Sequence, residues 1–176
     1  MPTLRAALLP PRGDRNETYS GSTRYARLLA DAYFTHLREL APSDTAPVGM
    51  GASLGALAML HAHRLHPHAF GGLFLQSGSF FRRRYDSHEA AFGRFGRITR
   101  AVGHIAGRRG HVHPIPVTLT CGLVEENLEN NRVMAGILGR QGYDAHLVES
   151  RDAHNWIAWR DVLHPHLPEL LLRTWT

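Results

Sequence analysis

The sequence contains no lysine, so all 20 of its basic side chains are arginines, set against 15 acidic residues. The arginines are scattered except at 82–84 and 108–109, and no basic helix with interleaved aromatic residues is present. Proteins that bind nucleic acids usually concentrate cationic charge on one helix or stripe. The sequence therefore predicts no nucleic-acid partner, and a local arginine cluster better suits a small anionic molecule.

Cysteine is nearly absent, because Cys121 stands alone. A single cysteine excludes an internal disulfide and is compatible with a reducing compartment. No apolar run approaches the roughly 18–20 residues that cross a bilayer. Residues 1–17 lack the long apolar stretch of a secretory signal. We therefore expect a cytoplasmic protein with no membrane partner. The sequence does not determine the oligomeric state.

The remaining composition is that of a single globular domain, because 43% of the 176 residues are hydrophobic and 20% are charged. Apolar and β-branched runs predict strands at 4–9, 46–50, 71–77, 116–121 and 145–150. Apolar residues at helical spacing predict helices at 23–40, 53–65, 88–107 and 126–142, and from 155 with interruptions near Pro165 and Pro168. Strands that alternate with helices indicate the α/β class, with a mainly parallel sheet of about five strands covered by helices on both faces.

The stretch "GMGASLGALAML" places Ser53 between Gly51 and Gly55, after a predicted strand and before a predicted helix. A nucleophilic serine needs this sharp strand-to-helix turn, which presents its hydroxyl at the end of the sheet. The backbone N–H of Leu54 then lies at the positive end of the helix, where it can stabilise an oxyanion. The alternative is a glycine-rich turn with an incidental serine.

A catalytic serine needs a histidine base, and parallel-sheet hydrolases order their residues as serine, acid, histidine. His154 alone directly follows a strand, in "SRDAHNWIAW", and Trp156 next to it can wall a pocket. The other histidines are expected on solvated surfaces: those at 61–68 lie on or past the helix after Ser53, His111 and His113 precede a strand, and His164 and His166 lie in the last helix.

The acid is expected after the fourth predicted strand, in "TCGLVEENLENN". Glu125 is favoured over Glu126, one orienting His154 while the other caps the following helix. Asp152 is too close in sequence to reach the histidine ring and indicates a turn. The predicted chemistry is ester cleavage in which Ser53 attacks, His154 moves the proton and Glu125 holds the imidazole.

No metal or other cofactor is predicted. The histidines of the H-x-H-x-x-H-x-H run at 61–68 are not four residues apart, the spacing that a zinc-binding helix requires. No pair of cysteines exists to bind one.

Four segments together resemble the putative-esterase family of α/β-hydrolases: "GMGASLGALAML", "FGGLFLQSGSFF", "CGLVEENLENNRVMAGIL" and "HNWIAWRDVLHPHLPELL". The family includes enterochelin esterases, feruloyl esterases, S-formylglutathione hydrolases and mycolyltransferases. The resemblance covers nearly the whole chain and is strongest to the enterochelin-esterase-like, or esterase D-like, branch. It implies Ser53 as nucleophile, Glu125 as acid and His154 as base. The segment "RGDRNETY" resembles one that packs near the family's pocket, which implies a substrate-binding role for Arg15.

One departure from the family concerns the N-terminal strands. Family members begin with strands carrying an "LHG"-like turn, whose loop donates a second oxyanion N–H, whereas nothing precedes "LRAALLPPRGDR". The resemblance therefore implies a partial domain, shortened at its N-terminus, with half an oxyanion hole. It also implies a missing strand between 4–9 and 46–50, so that these two either pair directly or leave an open groove.

The expected substrate is a small ester. The arginines at 82–84 follow the strand 71–77 and either rim the pocket for an anionic ester, such as a siderophore-type ester, or form a solvated loop. Arg82 and Trp156 are thus candidate substrate-binding residues. Two alternatives to the serine esterase stay open: a catalytically weak or inactive hydrolase-fold remnant, and an acyltransferase that uses the same triad.

Overall fold

The centre of the chain is a four-stranded parallel sheet. The computed structural model describes residues 4–11, 13–40, 42–107 and 113–175. The strands are β1 (Val48–Ala52), β2 (Gly72–Gln76), β3 (Val117–Gly122) and β4 (Ala145–Ser150), in the spatial order β1-β2-β3-β4. Ala52 pairs with Gln76 and Gln76 with Thr120, so the carboxyl ends of neighbouring strands lie side by side. The loops that follow these strands therefore meet at one edge of the sheet, where parallel α/β folds place their sites.

Helices precede, connect and follow the strands. They are α1 (Arg15–Tyr19), α2 (Thr23–Leu28), α3 (Phe34–Leu40), α4 (Leu54–Leu65), α5 (Phe95–Gly107), α6 (Leu128–Arg140), α7 (Trp156–Asp161) and α8 (His166–Trp175). Two predicted helices are interrupted. A π-helical turn, Leu29–Tyr33, joins α2 to α3, and a 3-10 turn, Ser87–Ala91, precedes α5. Gly93 lies in the second interruption, where its low helix propensity favours a break.

Helices cover both faces of the sheet, as predicted. Leu73 and Leu75 of β2 belong to the buried cluster that includes Leu57 and Leu60 of α4. Successive strand residues point to opposite faces, and on the other face Gly72 packs against Thr174 of α8. The alternation places the apolar core on the α4 face and α8 on the opposite face.

The predicted strand at 4–9 does not form, so the sheet has four strands where about five were expected. Leu4 is 56% exposed and Leu8 is 91% exposed. A hydrogen bond from the Tyr19 hydroxyl to the Leu9 carbonyl ties this segment to α1. The apolar run therefore gains too little burial to order as a strand, and β1 is the edge strand of the sheet among the described residues. Neither the direct pairing of 4–9 with 46–50 nor the groove between two such strands occurs.

The other four predicted strands form, with their ends shifted by a residue or two. Among the helices of the described ranges, none combines the length and apolar character needed to span a bilayer. Residues 108–112, which contain the second arginine cluster and His111, lie outside the described residues.

Candidate active site

Ser53 occupies the sharp turn that its sequence context predicts. It joins β1 to α4 with φ 56° and ψ −123°, a region that non-glycine residues rarely adopt. Its N–H donates to the Gln76 carbonyl at 2.8 Å, and its carbonyl accepts from the Ser79 N–H at 3.2 Å. Both bonds hold the strained backbone against the end of β2. Such strain persists where surrounding contacts over-determine it, and it is concentrated at functional sites.

The side chain of Ser53 contacts another serine. Its Oγ lies 3.2 Å from the Ser79 Oγ, and in the described part of the chain no hydrogen bond joins Ser53 to His154. Leu54 is the first residue of α4, so its N–H has no acceptor within the helix. The predicted oxyanion donor is therefore next to the serine, whereas the predicted serine–histidine contact is not made.

The acid and the base are in direct contact. Glu125 follows β3, and its Oε2 accepts from His154 Nδ1 at 2.7 Å. Because the carboxylate can only accept, Nδ1 carries the proton and Nε2 of a neutral ring is left with its lone pair. The Glu125 side chain is 1% exposed, whereas that of His154 is 41% exposed. A buried carboxylate thus fixes the tautomer of an imidazole that faces solvent, the arrangement that a general base requires.

The second oxygen of Glu125 is also fully engaged. Oε1 accepts from the Ser77 hydroxyl and from the Gly122 N–H, each at 2.7 Å. Burial acts to raise the pKa of Glu125, but hydrogen bonds from His154, Ser77 and Gly122 together hold that pKa below its usual value. Glu125 is therefore ionised at neutral pH despite its burial.

Ser77 extends this network to α7. Trp159 Nε1 donates to the Ser77 Oγ at 2.9 Å. An indole N–H only donates, so the single proton of Ser77 is directed at Glu125. The Trp159 ring also packs edge-on against His154, with centroids 5.0 Å apart. Ser77, at φ 47°, is thus a buried, strained residue that links the acid to the helix beside the base.

Two buried asparagines at the start of α6 fix the turn 77–79. Asn131 donates to the Gly78 carbonyl at 3.1 Å and accepts from the Gly78 N–H at 3.0 Å. The Asn127 amide donates to the Ser77 carbonyl at 2.9 Å. Sequence reasoning missed these residues and both serines, although "QSGS" and "NLENN" are unusually polar for segments next to a buried strand and an amphipathic helix.

The two other predicted carboxylates contribute elsewhere. Glu126 is 82% exposed and lies 3.5 Å from His88, so it neither orients His154 nor caps α6. Asp152 accepts from the Ala153 N–H at 2.8 Å, which is the turn role predicted for it. The ligand atoms of His88, Glu89 and Glu126 lie within 4.8 Å of one another. Among the described residues this is the group whose geometry could hold a metal, and exposed acidic groups of this kind are common without one.

The three predicted substrate-binding residues lie on different elements of the chain. Trp156 opens α7 two residues after His154, is 80% exposed and packs edge-on against Trp159. Arg82 lies three residues past Ser79, and its guanidinium sits over the Tyr85 ring at 5.9 Å. Arg15 is exposed at the start of α1. Among the described residues, no hydrogen bond or ion pair joins any of these three to Ser53, Glu125 or His154.

The expectation that the remaining histidines are solvated is wrong for His63. Its side chain is fully buried, and its Nε2 lies 3.1 Å from the Tyr143 hydroxyl. His63 lies on α4, which has apolar residues on several sides. The sequence pattern therefore does not show which side of the helix faces the core. Cys121 is buried in β3, and burial raises the pKa of its thiol to about 12. It is therefore an inert core residue.

The comparisons with known proteins agree with this fold. No protein-family model matches the sequence, and no curated protein matches it. The enterobactin esterase FES from Shigella flexneri matches with a TM-score of 0.69 at 18% identity, over 90% of this chain and 41% of that one. A ferulic acid esterase matches with a TM-score of 0.64 at 13% identity, over 85% of this chain and 61% of that one.

A third match is FphF, a fluorophosphonate-binding serine hydrolase from Staphylococcus aureus. Its TM-score is 0.61 at 13% identity, over 87% of this chain and 68% of that one. The chain thus spans about 61% of the ferulic acid esterase and about 41% of the enterobactin esterase. At these identities the similarity establishes the fold. The chain therefore has the α/β-hydrolase fold shared by these esterases and serine hydrolases, as its sequence resemblance implied.

Proposed function

We propose that this protein is a serine esterase that hydrolyses a carboxylic ester through an acyl-serine intermediate. The observation that carries the proposal is the buried Glu125 carboxylate bound to His154 Nδ1, at the sheet edge where Ser53 holds a strained turn. The esterases and serine hydrolases among the structural neighbours support it. The cytoplasmic location remains a prediction from the sequence.

In the proposed reaction, Ser53 Oγ attacks the ester carbonyl carbon while its proton passes to Nε2 of His154. The carbonyl oxygen becomes an oxyanion that accepts from the Leu54 N–H. Collapse breaks the ester bond, and the leaving alkoxide takes the proton from His154. Water then attacks the acyl-serine and loses its proton to His154. Collapse breaks the bond between the acyl carbon and Ser53 Oγ, which takes that proton back from His154 as the carboxylic acid is released. The first step requires Ser53 Oγ and His154 Nε2 to come within hydrogen-bond reach, and catalytic contacts of this kind often tighten only when substrate binds.

The test of the proposed function is covalent labelling by an alkyl fluorophosphonate, which reacts with activated serines. We expect the wild-type protein to be labelled on the peptide that contains Ser53, as located by mass spectrometry. Ser53→Ala should abolish labelling, because the attacking oxygen is removed. The control is Ser87→Ala, which removes an exposed hydroxyl outside the proposed triad. It should be labelled at the wild-type rate. Labelling that survives in Ser53→Ala would contradict the assignment of the nucleophile.

A catalytically weak or inactive hydrolase-fold remnant is the second candidate. It is favoured by the absence, among the described residues, of a hydrogen bond between Ser53 and His154. A single identified oxyanion donor, Leu54, also favours it, because removal of one donor typically lowers the rate about 10²–10³-fold. The same experiment distinguishes the two candidates: a folded wild-type protein that takes up no fluorophosphonate is the remnant.

We further propose that the substrate is an anionic ester, with siderophore-type esters as the first class to assay. Arg82, Arg83 and Arg84 continue from the turn that contacts Ser53, and the guanidinium groups of Arg82 and Arg84 lie over Tyr85 at 5.9 and 5.6 Å. Among the described residues, no carboxylate forms an ion pair with any of these three arginines. A local cationic cluster of this kind raises the concentration of an anionic substrate.

Alanine at 82, 83 and 84 together is expected to lower kcat/KM for an anionic ester by about tenfold relative to a neutral ester of equal size, through loss of local attraction. The difference should shrink as salt is added, because ions screen exposed charges. Alanine at the exposed Arg24, Arg27 and Arg100 removes the same number of charges and serves as the matched control. Equal relative rates on the two esters in both triple variants would remove the proposal for an anionic substrate.

A further inference from the structure

We propose that Ser79 is a positioning residue whose hydroxyl holds the Ser53 nucleophile. The inference rests on the proposed esterase function and adds a residue that is neither nucleophile, acid nor base. The element concerned is the turn Ser77–Gly78–Ser79, which we call the serine turn. It follows β2, which lies between the strand that precedes Ser53 and the strand that precedes Glu125.

Two hydrogen bonds connect Ser79 to Ser53. The Ser79 N–H donates to the Ser53 carbonyl at 3.2 Å, and the two hydroxyl oxygens are 3.2 Å apart. Ser79 is 3% exposed, so bulk water does not compete for its hydroxyl. The backbone bond fixes the separation of the two residues, and the hydroxyl contact then restricts the rotamers of Ser53. A nucleophile held in few rotamers loses less entropy on reaching the reactive geometry.

The serine turn is rigid enough to act as a fixed support. Asn131 binds both backbone groups of Gly78. Phe80, the next residue, is fully buried, and its ring fills the space that a Cβ at Gly78 would occupy. Since the opposite end of the turn donates from Ser77 to Glu125, one short segment contacts both the nucleophile and the acid. A shift of the turn would therefore disturb both ends of the proposed triad.

The direction of the hydroxyl contact follows from the proton that the reaction needs. In the resting protein either hydroxyl can be the donor. When Ser53 directs its only proton at His154, the Ser79 hydroxyl must become the donor to Ser53 Oγ. A donor at that position stabilises the negative charge that develops on Oγ as its proton leaves. Hydrogen bonds to charged groups are the stronger ones, so the contact gains strength on the way to the transition state.

The experiment compares Ser79→Thr with Ser79→Val. Both variants add the same bulk to a buried position, and only threonine keeps the hydroxyl. We expect Ser79→Val to react with the fluorophosphonate about tenfold more slowly than Ser79→Thr, the rate factor that one hydrogen bond supports. On an ester substrate the loss should appear in kcat, with KM changed less than about twofold, because the contact strengthens only in the transition state.

Equal labelling rates for the two variants, with wild-type labelling at Ser53 intact, would overturn the role of Ser79 and leave the proposed function standing. A wild-type protein that is not labelled at all would overturn the proposed function, and with it this inference. If the added methyl group prevents folding, Ser79→Ala replaces the pair: a folded Ser79→Ala that labels at the wild-type rate overturns the inference, and a tenfold slower one supports it. Thermal unfolding of each variant establishes that it is folded.

Discussion

Replacing Glu125 with glutamine is expected to lower kcat for ester hydrolysis by about 10⁴-fold. The amide presents an NH₂ group where the structure supplies donors: Ser77 and Gly122 donate to one oxygen and His154 to the other. If the NH₂ group faces the ring, it forces the imidazole into the tautomer with its proton on Nε2. That tautomer cannot take a proton from Ser53, which is why the loss is expected in the chemical step.

The matched control for this variant is Glu126→Gln, next to it in sequence. Glu126 is 82% exposed, and its carboxylate lies 3.5 Å from His88, away from His154. The kcat of Glu126→Gln should therefore stay within about twofold of the wild-type value. Steady-state hydrolysis of a chromogenic ester by both variants measures the difference. A large loss in Glu126→Gln with little loss in Glu125→Gln would reverse the assignment of the acid.

The second large effect is expected for Gly51→Ala, which should destabilise the fold by about 3 kcal/mol or more. A Cβ at Gly51 would lie 2.5 Å from the carbonyl carbon and oxygen of Gly55 and 2.9 Å from the Ala56 nitrogen. All three are backbone atoms of the first turn of α4, so no side chain can move aside to relieve the overlap. The helix would have to separate from β1, which also displaces the Ser53 turn between them.

Gly55→Ala is the control for this prediction, because a Cβ at Gly55 meets nothing within 4 Å. It should be neutral, or stabilising by about 0.5–1 kcal/mol, since alanine loses less entropy than glycine in a helix. Urea unfolding followed by circular dichroism measures both variants. Equal unfolding midpoints for the two would show that α4 does not pack against β1 as closely as the structure places it. The two glycines of the G-x-S-x-G pattern are therefore not equivalent. Gly51 is required because a side chain there would overlap the backbone of α4, whereas a Cβ at Gly55 would meet no other atom within 4 Å.

The contact between His154 and Glu125 illustrates how much the sequence predicted. Each residue follows a strand of strong local character, and carboxyl ends of parallel strands share one edge, so their proximity could be anticipated. The sequence favoured Glu125 over Glu126 less strongly. Which of two adjacent carboxylates reaches the histidine depends on the conformation of the loop, and the sequence pattern does not determine that conformation. The Gly122 N–H and the Ser77 hydroxyl settle that direction by binding Glu125.

The segment 4–9 shows where local pattern fails. Six residues of mostly apolar character fit a buried strand, but a strand forms only where a neighbouring strand and a covering layer are available. Leu8 is 91% exposed, so no covering layer buries this segment. His63 is the converse case. A polar histidine in a helix is expected on the surface, but Tyr143, on a distant part of the chain, provides a hydrogen-bond partner that makes its burial favourable.

What the sequence by itself determined is the order of strands and helices and the position of Ser53, Glu125 and His154 at strand ends, because hydrophobic periodicity and turn residues act over short stretches of chain. Only the tertiary structure decided that Ser79 contacts Ser53 and that Asn131 holds the serine turn, which contains Ser79. These contacts join residues 26 and 53 positions apart. Packing of α6 against the sheet brings Asn131 to the turn, and the pairing of β1 with β2 brings Ser79 to Ser53. No local pattern encodes a distance between side chains that far apart in sequence.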